Sequence, residues 1–384
     1  VSEKILIAGG GTGGHVFPGL AVADALRALA DVEVIFVGTA RGIETRVIPD
    51  RGYTLELLDV TPLKGGGPAR AVRGALTAAR ATLTSVALLR RLRPRAVLSV
   101  GGYAAGPISL AAAALGIPMA ILEPNATVGL ANRWLAPFAK RAYLAWPEAG
   151  KSLRSQIVRL TGVPLRAGFA PSPYCASSSA RVLVMGGSQG AEALNVRLPE
   201  AIALVAKELS HVEVVHQAGR DRDGPVREAY ARERVVKSSV VPFLEDVAGE
   251  IAKCDLVVAR AGAGTLAEIA AIGRAAVFVP FPHAADDHQA TNAASFVSAG
   301  AAVSVRQEAA DAVRIASELV RLLADGATRE KMANAMRARG KPDAARVIAK
   351  DLLSLAGIAC TVQSFPSPSR TNGHKPSTPF SEMN

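Results

Sequence analysis

Residues 4–26 read KILIAGGGTGGHVFPGLAVADAL: an apolar run, five glycines (Gly9, Gly10, Gly11, Gly13, Gly14) around Thr12, then His15 and a stretch with helical spacing. A glycine-rich turn between strand and helix leaves bare backbone N–H groups beside the positive end of the helix macrodipole, a setting that suits phosphate. Residues 181–195, RVLVMGGSQGAEALN, repeat this grammar. Strand and helix signals alternate along the chain, which predicts an α/β fold with two doubly wound parallel sheets. Expected strands are 4–8, 33–37, 96–100, 119–122, 181–185, 213–217, 235–241, 256–259, 276–279 and 302–305. They fall into two groups. Between them Thr161 to Ala180 is rich in Pro, Ser and Ala without helical periodicity, the expected junction of domains 1–163 and 164–356. The second domain is expected to close with one or two helices over 331–355. Residues 357–384, rich in Pro, Ser and Thr, read as a disordered tail.

The 384 residues are 49% hydrophobic and 20% charged, the balance of a globular chain with a real core. Cys175, Cys254 and Cys360 lie far apart without metal-ligand spacing, which disfavours a disulfide framework or zinc site and fits a reducing compartment. The first apolar run meets glycine after Ala8, too soon for a signal h-region. Ala96 to Leu122 carries no charge and is long enough to span a bilayer. Its Gly101-Gly102, Gly106-Pro107 and Gly116-Ile117-Pro118 instead divide it into strand, loop, short helix and strand, buried on both faces.

The formal net charge of +11 is unevenly spread. Between Val60 and Leu122 there is no acidic residue, while Lys64, Arg70, Arg73, Arg80, Arg90, Arg91, Arg93 and Arg95 all fall there. Val72, Leu76, Ala79, Leu83 and Val86 follow helical spacing with Arg70, Arg73 and Arg80 on a flanking stripe. This pattern fits either a helix lying on acidic lipid or an ordinary solvated helix packed inward. Nucleic acid is disfavoured by the few aromatics and the absence of a recognition module.

Four glycine-rich turns carry the chemistry: 9–15, 101–107, 186–191 and 261–268. Gly9-x-Gly11-x-x-Gly14 satisfies the dinucleotide fingerprint, so a nicotinamide oxidoreductase is one reading. The second strand weighs against it, because EVIFVGTARG ends in Gly38 and Thr39 and offers Glu44 only after the turn. No Gly-Lys-Ser/Thr follows any of these loops, which excludes a P-loop.

GGGTGGHVFPGLAVADAL (9–26), GGYAAGP (101–107), EPNATVGLANRWL (123–135), GVPLR (162–166), GGSQGA (186–191), PFLEDV (242–247) and RAGAGTLAEIAAIGRAAVFVPFPHAADDHQATNA (260–293) carry a family resemblance. In order and spacing they resemble the MurG family, N-acetylglucosaminyltransferases that complete lipid II in bacterial cell-wall synthesis, over about Lys4 to Leu355. The resemblance implies a GT-B fold, two Rossmann-like domains facing across a cleft. The first would face the lipid acceptor and the membrane and the second would bind UDP-GlcNAc. The implied reaction is inverting, metal-independent transfer of GlcNAc to the C4 hydroxyl of MurNAc in lipid I, without a cofactor. Also implied are peripheral attachment to an anionic phospholipid surface on the cytoplasmic face of the plasma membrane, and protein partners of the divisome or elongation complex.

Carried over residue by residue, the resemblance places Leu244 against uracil with Phe243 beside it, and Ser188 and Arg166 near the phosphates. Ala263, Gln289 and Asn292 would hold the sugar. Thr12, Gly13, Gly14 and Asn125 would approach the donor from the first domain, and Gly101, Gly102, Tyr103 and Gly106 would meet the acceptor. In RAGAGTLAEIAAIG a helix starting near Gly264 points the N–H groups of Gly264, Thr265 and Leu266 at a diphosphate. Glu268 can accept two hydrogen bonds from a ribose diol, or simply compensate the helix dipole. For the base the candidates are His15, which titrates near neutral pH, and Glu123; His15 could also orient or bind the acceptor.

Asp221 and Asp223 in AGRDRDGP imitate a metal-binding Asp-x-Asp but read as a polar turn, and His283 to His288 reads as the loop leading to Gln289. Ala105 stands where the family commonly has serine, Leu122-Glu123-Pro124-Asn125 where His-Glu-Gln-Asn is common, and Val163 where asparagine is common. Two further readings are a UDP-GlcNAc 2-epimerase of the same fold and a noncatalytic membrane or RNA-binding module.

Overall fold

The computed structural model describes residues 2–60, 68–102, 104–176, 180–187, 189–235 and 237–361, with 68–79 as backbone. Tyr103, Ser188, Lys64, the side chains of Arg70 and Arg73, and the tail from 362 onward lie outside the described residues.

Seven parallel strands form the first sheet: β1 (Glu3–Gly9), β2 (Val32–Gly38), β3 (Thr54–Leu57), β4 (Ala96–Gly101), β5 (Met119–Glu123), β6 (Arg141–Leu144) and β7 (Val158–Leu160), in the order β3-β2-β1-β4-β5-β6-β7. The second sheet holds β8 (Ala180–Met185), β9 (Val212–Gln217), β10 (Ser238–Val241), β11 (Leu256–Ala259), β12 (Ala275–Phe278) and β13 (Ala302–Ser304), in the order β10-β9-β8-β11-β12-β13. Strand order reverses between β1 and β4 and again between β8 and β11. At such switch points the loops leaving the strand ends diverge and open a crevice for ligand. All four glycine-rich turns follow these four strands, two at each crevice.

The helices are α1 (Gly13–Leu29), α2 (Glu44–Asp50), α3 (Pro68–Leu92), α4 (Ala105–Ala114), α5 (Leu130–Leu135), α6 (Pro147–Gly150), α7 (Glu192–Glu208), α8 (Asp223–Arg232), α9 (Val247–Lys253), α10 (Ala263–Ile272), α11 (His288–Ser298), α12 (Ala312–Ala324), α13 (Gly326–Arg339) and α14 (Ala344–Ala356). They cover both faces of each sheet, which is why the central strands read as unbroken apolar runs. On β1, Ile5 and Ile7 join one core layer and Leu6 and Ala8 the other. On β8, Val182 and Val184 alternate in the same way with Leu183 and Met185. Ala96 to Leu122 is β4, α4 and most of β5, and among the described residues no helix is long and apolar enough to cross a membrane.

β3, β6 and β7 are absent from the sequence expectation because each short strand carries a charged residue, Glu56, Arg141 or Arg159, that breaks the apolar run, unlike the similarly short β11 and β12. The expected strand 235–241 begins at Ser238 instead. Arg234 adopts φ +57° and the Val235 amide donates to Tyr230 O, so Val235 closes α8 rather than opening β10. The closing helices are two, α13 and α14, and the second leaves its chain neighbours. Ile348, Leu352 and Leu353 of α14 are buried with Ile5, Val22 and Leu26 of the first domain. Asp351 accepts from Tyr143 Oη at 2.8 Å and from Arg141 Nε at 3.1 Å. Past Gly357, where the sequence reads as tail, Thr361 N still donates to Leu29 O at 2.8 Å.

The two domains also touch directly. Trp146 meets Phe296 edge to face with ring centroids 5.0 Å apart, and Ser295 Oγ donates to Glu148 Oε1 at 2.7 Å.

Candidate active site

The first-domain lip is built from the ends of β1 and β4. Pairing between these strands slips from Ala8–Ser99 to Gly9–Gly101, so both chains leave the sheet as glycine loops, joined by the Gly10 N–H to Gly101 O bond of 3.3 Å. Thr12 then caps α1, whose first amides, those of Gly13 and Gly14 among them, have no intrahelical acceptor and face outward from the helix end. His15 follows in the first turn, half-buried, with Nδ1 3.4 Å from Thr12 Oγ1. Its ring lies over Gly101, where a Cβ would come within 2.9 Å of the imidazole, so the glycine is required by the close approach. Burial holds the His15 pKa below its ordinary value, with His288 acting in the same direction. Glu123, the Gly10 carbonyl and Glu44 oppose the shift, each favouring the imidazolium. The ring is therefore neutral at pH 7 yet surrounded by groups that stabilise it once protonated.

Glu123 ends β5 and is buried with both oxygens occupied. Oε1 accepts from the amide and side chain of Asn125 at 3.1 and 3.2 Å, and Oε2 from Gly129 N at 2.8 Å and Asn132 Nδ2 at 3.0 Å. These bonds shape the loop that carries Asn125 toward the second domain. The geometry makes Glu123 a loop anchor, and of the two candidates His15 is the more accessible. Gly102 and Gly106 lie on the second glycine loop at the start of α4, on the same lip.

The second-domain lip is the start of α10. The Leu266 amide closes the first turn on Gly262 O at 3.0 Å, which leaves the amides of Ala263, Gly264 and Thr265 at the open end. α10 contacts α1, and each of these helices begins at a glycine loop of its own switch point. Leu266 itself is core, and because its amide is committed to Gly262 O it does not present the free N–H that the sequence suggests. Glu268, one turn in, is half-buried; burial pushes its carboxyl up to about 7, with the Arg166 guanidinium opposing the shift. Arg166 is exposed on the segment joining the two domains, its guanidinium carbon 5.4 Å from the Phe169 ring centre. Beside them Leu244 is buried and Phe243 is 56% exposed, an apolar shelf at the rim of the second sheet.

α11 ties this lip together. Gln289 Oε1 accepts from Ala261 N at 3.2 Å and Phe281 N at 3.0 Å, which leaves its amide NH2 to donate. Asn292 is fully buried: its Oδ1 accepts from Ala126 N at 2.8 Å, and its Nδ2 reaches Asn125 Oδ1 at 3.3 Å and Ala261 O at 3.2 Å. Its side chain thus bridges the domains. His288 at the start of α11 holds Ala285 O through Nδ1 at 2.6 Å.

Among the described residues no group of three His, Cys, Asp or Glu side chains could hold a metal ion. Asp287 pairs with Arg306 at 2.9 Å and Asp223 with Arg227 at 3.0 Å, each carboxylate engaged locally.

Several residues were not singled out by sequence. Glu44 is wholly buried against the first glycine loop, and Asn132 supports Glu123. On α4 and α5, Leu110, Leu130 and Trp134 are exposed, Trp134 to 74%, together with Phe138 just beyond; on the adjoining α3, Leu83 of the expected stripe is exposed as well. No local pattern marks Glu44, because its partners are backbone amides brought together by the fold. Trp134 and Phe138 lack the helical run that would flag an apolar face.

Residues 5–144 match the glycosyltransferase family 28 N-terminal domain and residues 181–348 the glycosyltransferase family 28 C-terminal domain. A UDP-N-acetylglucosamine--N-acetylmuramyl-(pentapeptide) pyrophosphoryl-undecaprenol N-acetylglucosamine transferase of Sorangium cellulosum is 53% identical, over 92% of this chain and 88% of that protein. Its namesake in Acidithiobacillus ferrooxidans is 44% identical, over 93% of this chain and 99% of that protein. The crystal structure of Acinetobacter baumannii MurG superposes with a TM-score of 0.77 at 32% identity, covering 92% of this chain and 99% of that one. The chain belongs to glycosyltransferase family 28, and within it to the MurG enzymes of GT-B fold.

Proposed function

We propose that this protein transfers GlcNAc from UDP-GlcNAc to the C4 hydroxyl of MurNAc in undecaprenyl-diphospho-MurNAc-pentapeptide, lipid I, to give lipid II. The observation that carries the reading is the contact between α1, which carries His15, and α10, which carries Glu268, two helices that each begin at a glycine-rich switch-point loop. The amides of Ala263, Gly264 and Thr265 face the donor diphosphate, Arg166 adds a planar cationic fork, and Glu268 as carboxylate accepts from the ribose diol. Leu244 meets the uracil through its backbone with Phe243 beside the ring, and Gln289 donates to the sugar hydroxyls. Ser188, in the 186–191 turn and outside the described residues, would meet the same phosphates.

In the reaction the acceptor O4 bonds to the anomeric carbon as the bond from that carbon to the diphosphate oxygen breaks, with inversion. His15 takes the hydroxyl proton, and the departing UDP carries the electron pair of the broken bond. Glu123, Glu44 and the Gly10 carbonyl, which favour the imidazolium, stabilise His15 once charged. The helix ends and Arg166 meet the charge developing on UDP. Thr12, Gly13, Gly14 and Asn125 line the acceptor side of the donor sugar, and Gly101, Gly102, Tyr103 and Gly106 receive the acceptor. The exposed Leu83, Leu110, Leu130, Trp134 and Phe138, near the exposed cations Arg80, Arg133 and Lys140, supply a face for an anionic leaflet, which is where a polyprenyl-linked acceptor resides.

The test is transfer of labelled GlcNAc from UDP-GlcNAc to a short-chain lipid I analogue, run with and without EDTA. A β1,4-linked disaccharide product formed equally in both supports the reading. Absence of transfer contradicts it, and UDP-ManNAc formed from donor alone would point to epimerisation instead.

A further inference from the structure

Glu44 is a buried carboxylate with no basic side chain paired to it among the described ion pairs. It is 0% exposed at the first position of α2, and its oxygens are satisfied by the first glycine loop and the end of β2. Oε2 accepts from Gly11 N at 2.8 Å, and Oε1 from Thr39 N and Thr39 Oγ1 at 3.0 Å each. A Cβ on Gly10 or Gly42 would overlap this carboxylate, and one on Gly38 would lie 2.7 Å from its Cγ. Three glycines from three segments thus form a cavity shaped to one side chain. Burial alone would raise the Glu44 pKa, but the Thr39 and Gly11 amides, its own amide and the Thr39 hydroxyl outweigh it and keep the group ionised.

An uncompensated buried charge is costly unless hydrogen bonds replace its hydration, and these do so by fixing the loop. The Gly11 amide, which a dinucleotide diphosphate would need, is already committed to Glu44. The same loop carries the Gly10 carbonyl beside His15 and leads through Thr12 into the first turn of α1.

We propose that Glu44 is a positioning residue for His15: its carboxylate, locked between Gly11 and Thr39, holds the first glycine loop and the start of α1 in the geometry that presents the imidazole to the cleft. This rests on the reading of His15 as the base. The charged and titratable groups acting on His15 are Glu123 from β5, Glu44 from α2 and His288 from α11, with the Gly10 carbonyl of its own loop.

The experiment compares the full chain with its Glu44→Gln variant, which keeps the shape but sets an NH2 against one of the two amide donors and removes the charge. Histidine NMR, with His15 assigned from the His15→Ala spectrum, is expected to show His15 titrating at lower pH in E44Q, since a group favouring imidazolium is gone. In the transfer assay kcat is expected to fall on the order of 10-fold to 100-fold, the scale of a misplaced catalytic group, with the KM for UDP-GlcNAc little changed. The acid limb of the kcat profile should move to lower pH with the imidazole. Should E44Q give no cooperative melt, Glu44→Asp, charged but one methylene short of its amides, is expected to lose kcat at unchanged KM. A folded E44Q with wild-type kcat and His15 titration, or a wild-type kcat in E44D where E44Q does not fold, overturns the proposal. If the wild-type chain transfers no GlcNAc, the functional reading fails, and the NMR comparison still decides whether Glu44 sets the state of His15.

Discussion

Glu268 shows how a residue's environment sets its chemistry. Its carboxyl titrates near 7 because burial disfavours the charged form more than Arg166 favours it. A carboxyl whose folded pKa lies above its unfolded value favours the folded state below the unfolded pKa, and that contribution is lost as pH rises through about 7. A ribose diol prefers the ionised form, which accepts both hydrogen bonds. UDP-GlcNAc affinity is accordingly expected to rise from about pH 6 to about pH 8 and to lose this component in Glu268→Gln, as read by calorimetry. A pH profile identical in wild type and variant would remove Glu268 from the donor site. At this scale the sequence was partly legible. His15 in the first turn of α1 and Glu268 one turn into α10 follow glycine loops, a placement visible in the sequence. Glu44 reaches Gly11, and Asn292 reaches Asn125 and Ala126, only because the fold brings these segments together, which no spacing reveals.

Among the elements, α14 carries the least expected consequence. Its apolar positions Ile348, Leu352 and Leu353 are legible as a helical stripe, but nothing local says which sheet they cover. The chain crosses back after α13, so the last helix completes the core of the first domain. Leu352→Ala is expected to destabilise the protein by about 2–5 kcal/mol, measured by urea unfolding. The loss should fall on the transition that reports the first domain, where Tyr53 and Tyr143 lie. A cost below about 0.5 kcal/mol would contradict this packing. The central strands were readable because strands buried on both faces must be apolar throughout. β3, β6 and β7 were not, since Glu56, Arg141 and Arg159 break the apolar run within such short strands.

For the whole molecule, the fold sets two switch-point crevices against each other and leaves an apolar, basic face on α3 to α5. Asn292 and the Trp146–Phe296 contact hold the domains together beside the cleft, so the donor and acceptor lips share one framework. Vesicles containing anionic phospholipid are expected to bind the protein, less so as salt rises. Trp134→Ala should weaken that binding on the order of tenfold, the worth of about 1.4 kcal/mol of buried ring. Equal binding to neutral vesicles, or no effect of the variant, would contradict a docking face there. The acid-free stretch from Val60 to Leu122 signalled the basic character of this region, while the exposed ring came from α5, outside it.

In the proposed reaction His15 takes the acceptor proton, in a cleft whose donor half stands without it. The direct measurement is the His15→Ala variant in the lipid I transfer assay, paired with its UDP affinity. GlcNAc transfer should fall by roughly 100-fold to 10,000-fold, the usual worth of a positioned base, with UDP binding retained. Near-normal transfer by a folded variant would contradict the account.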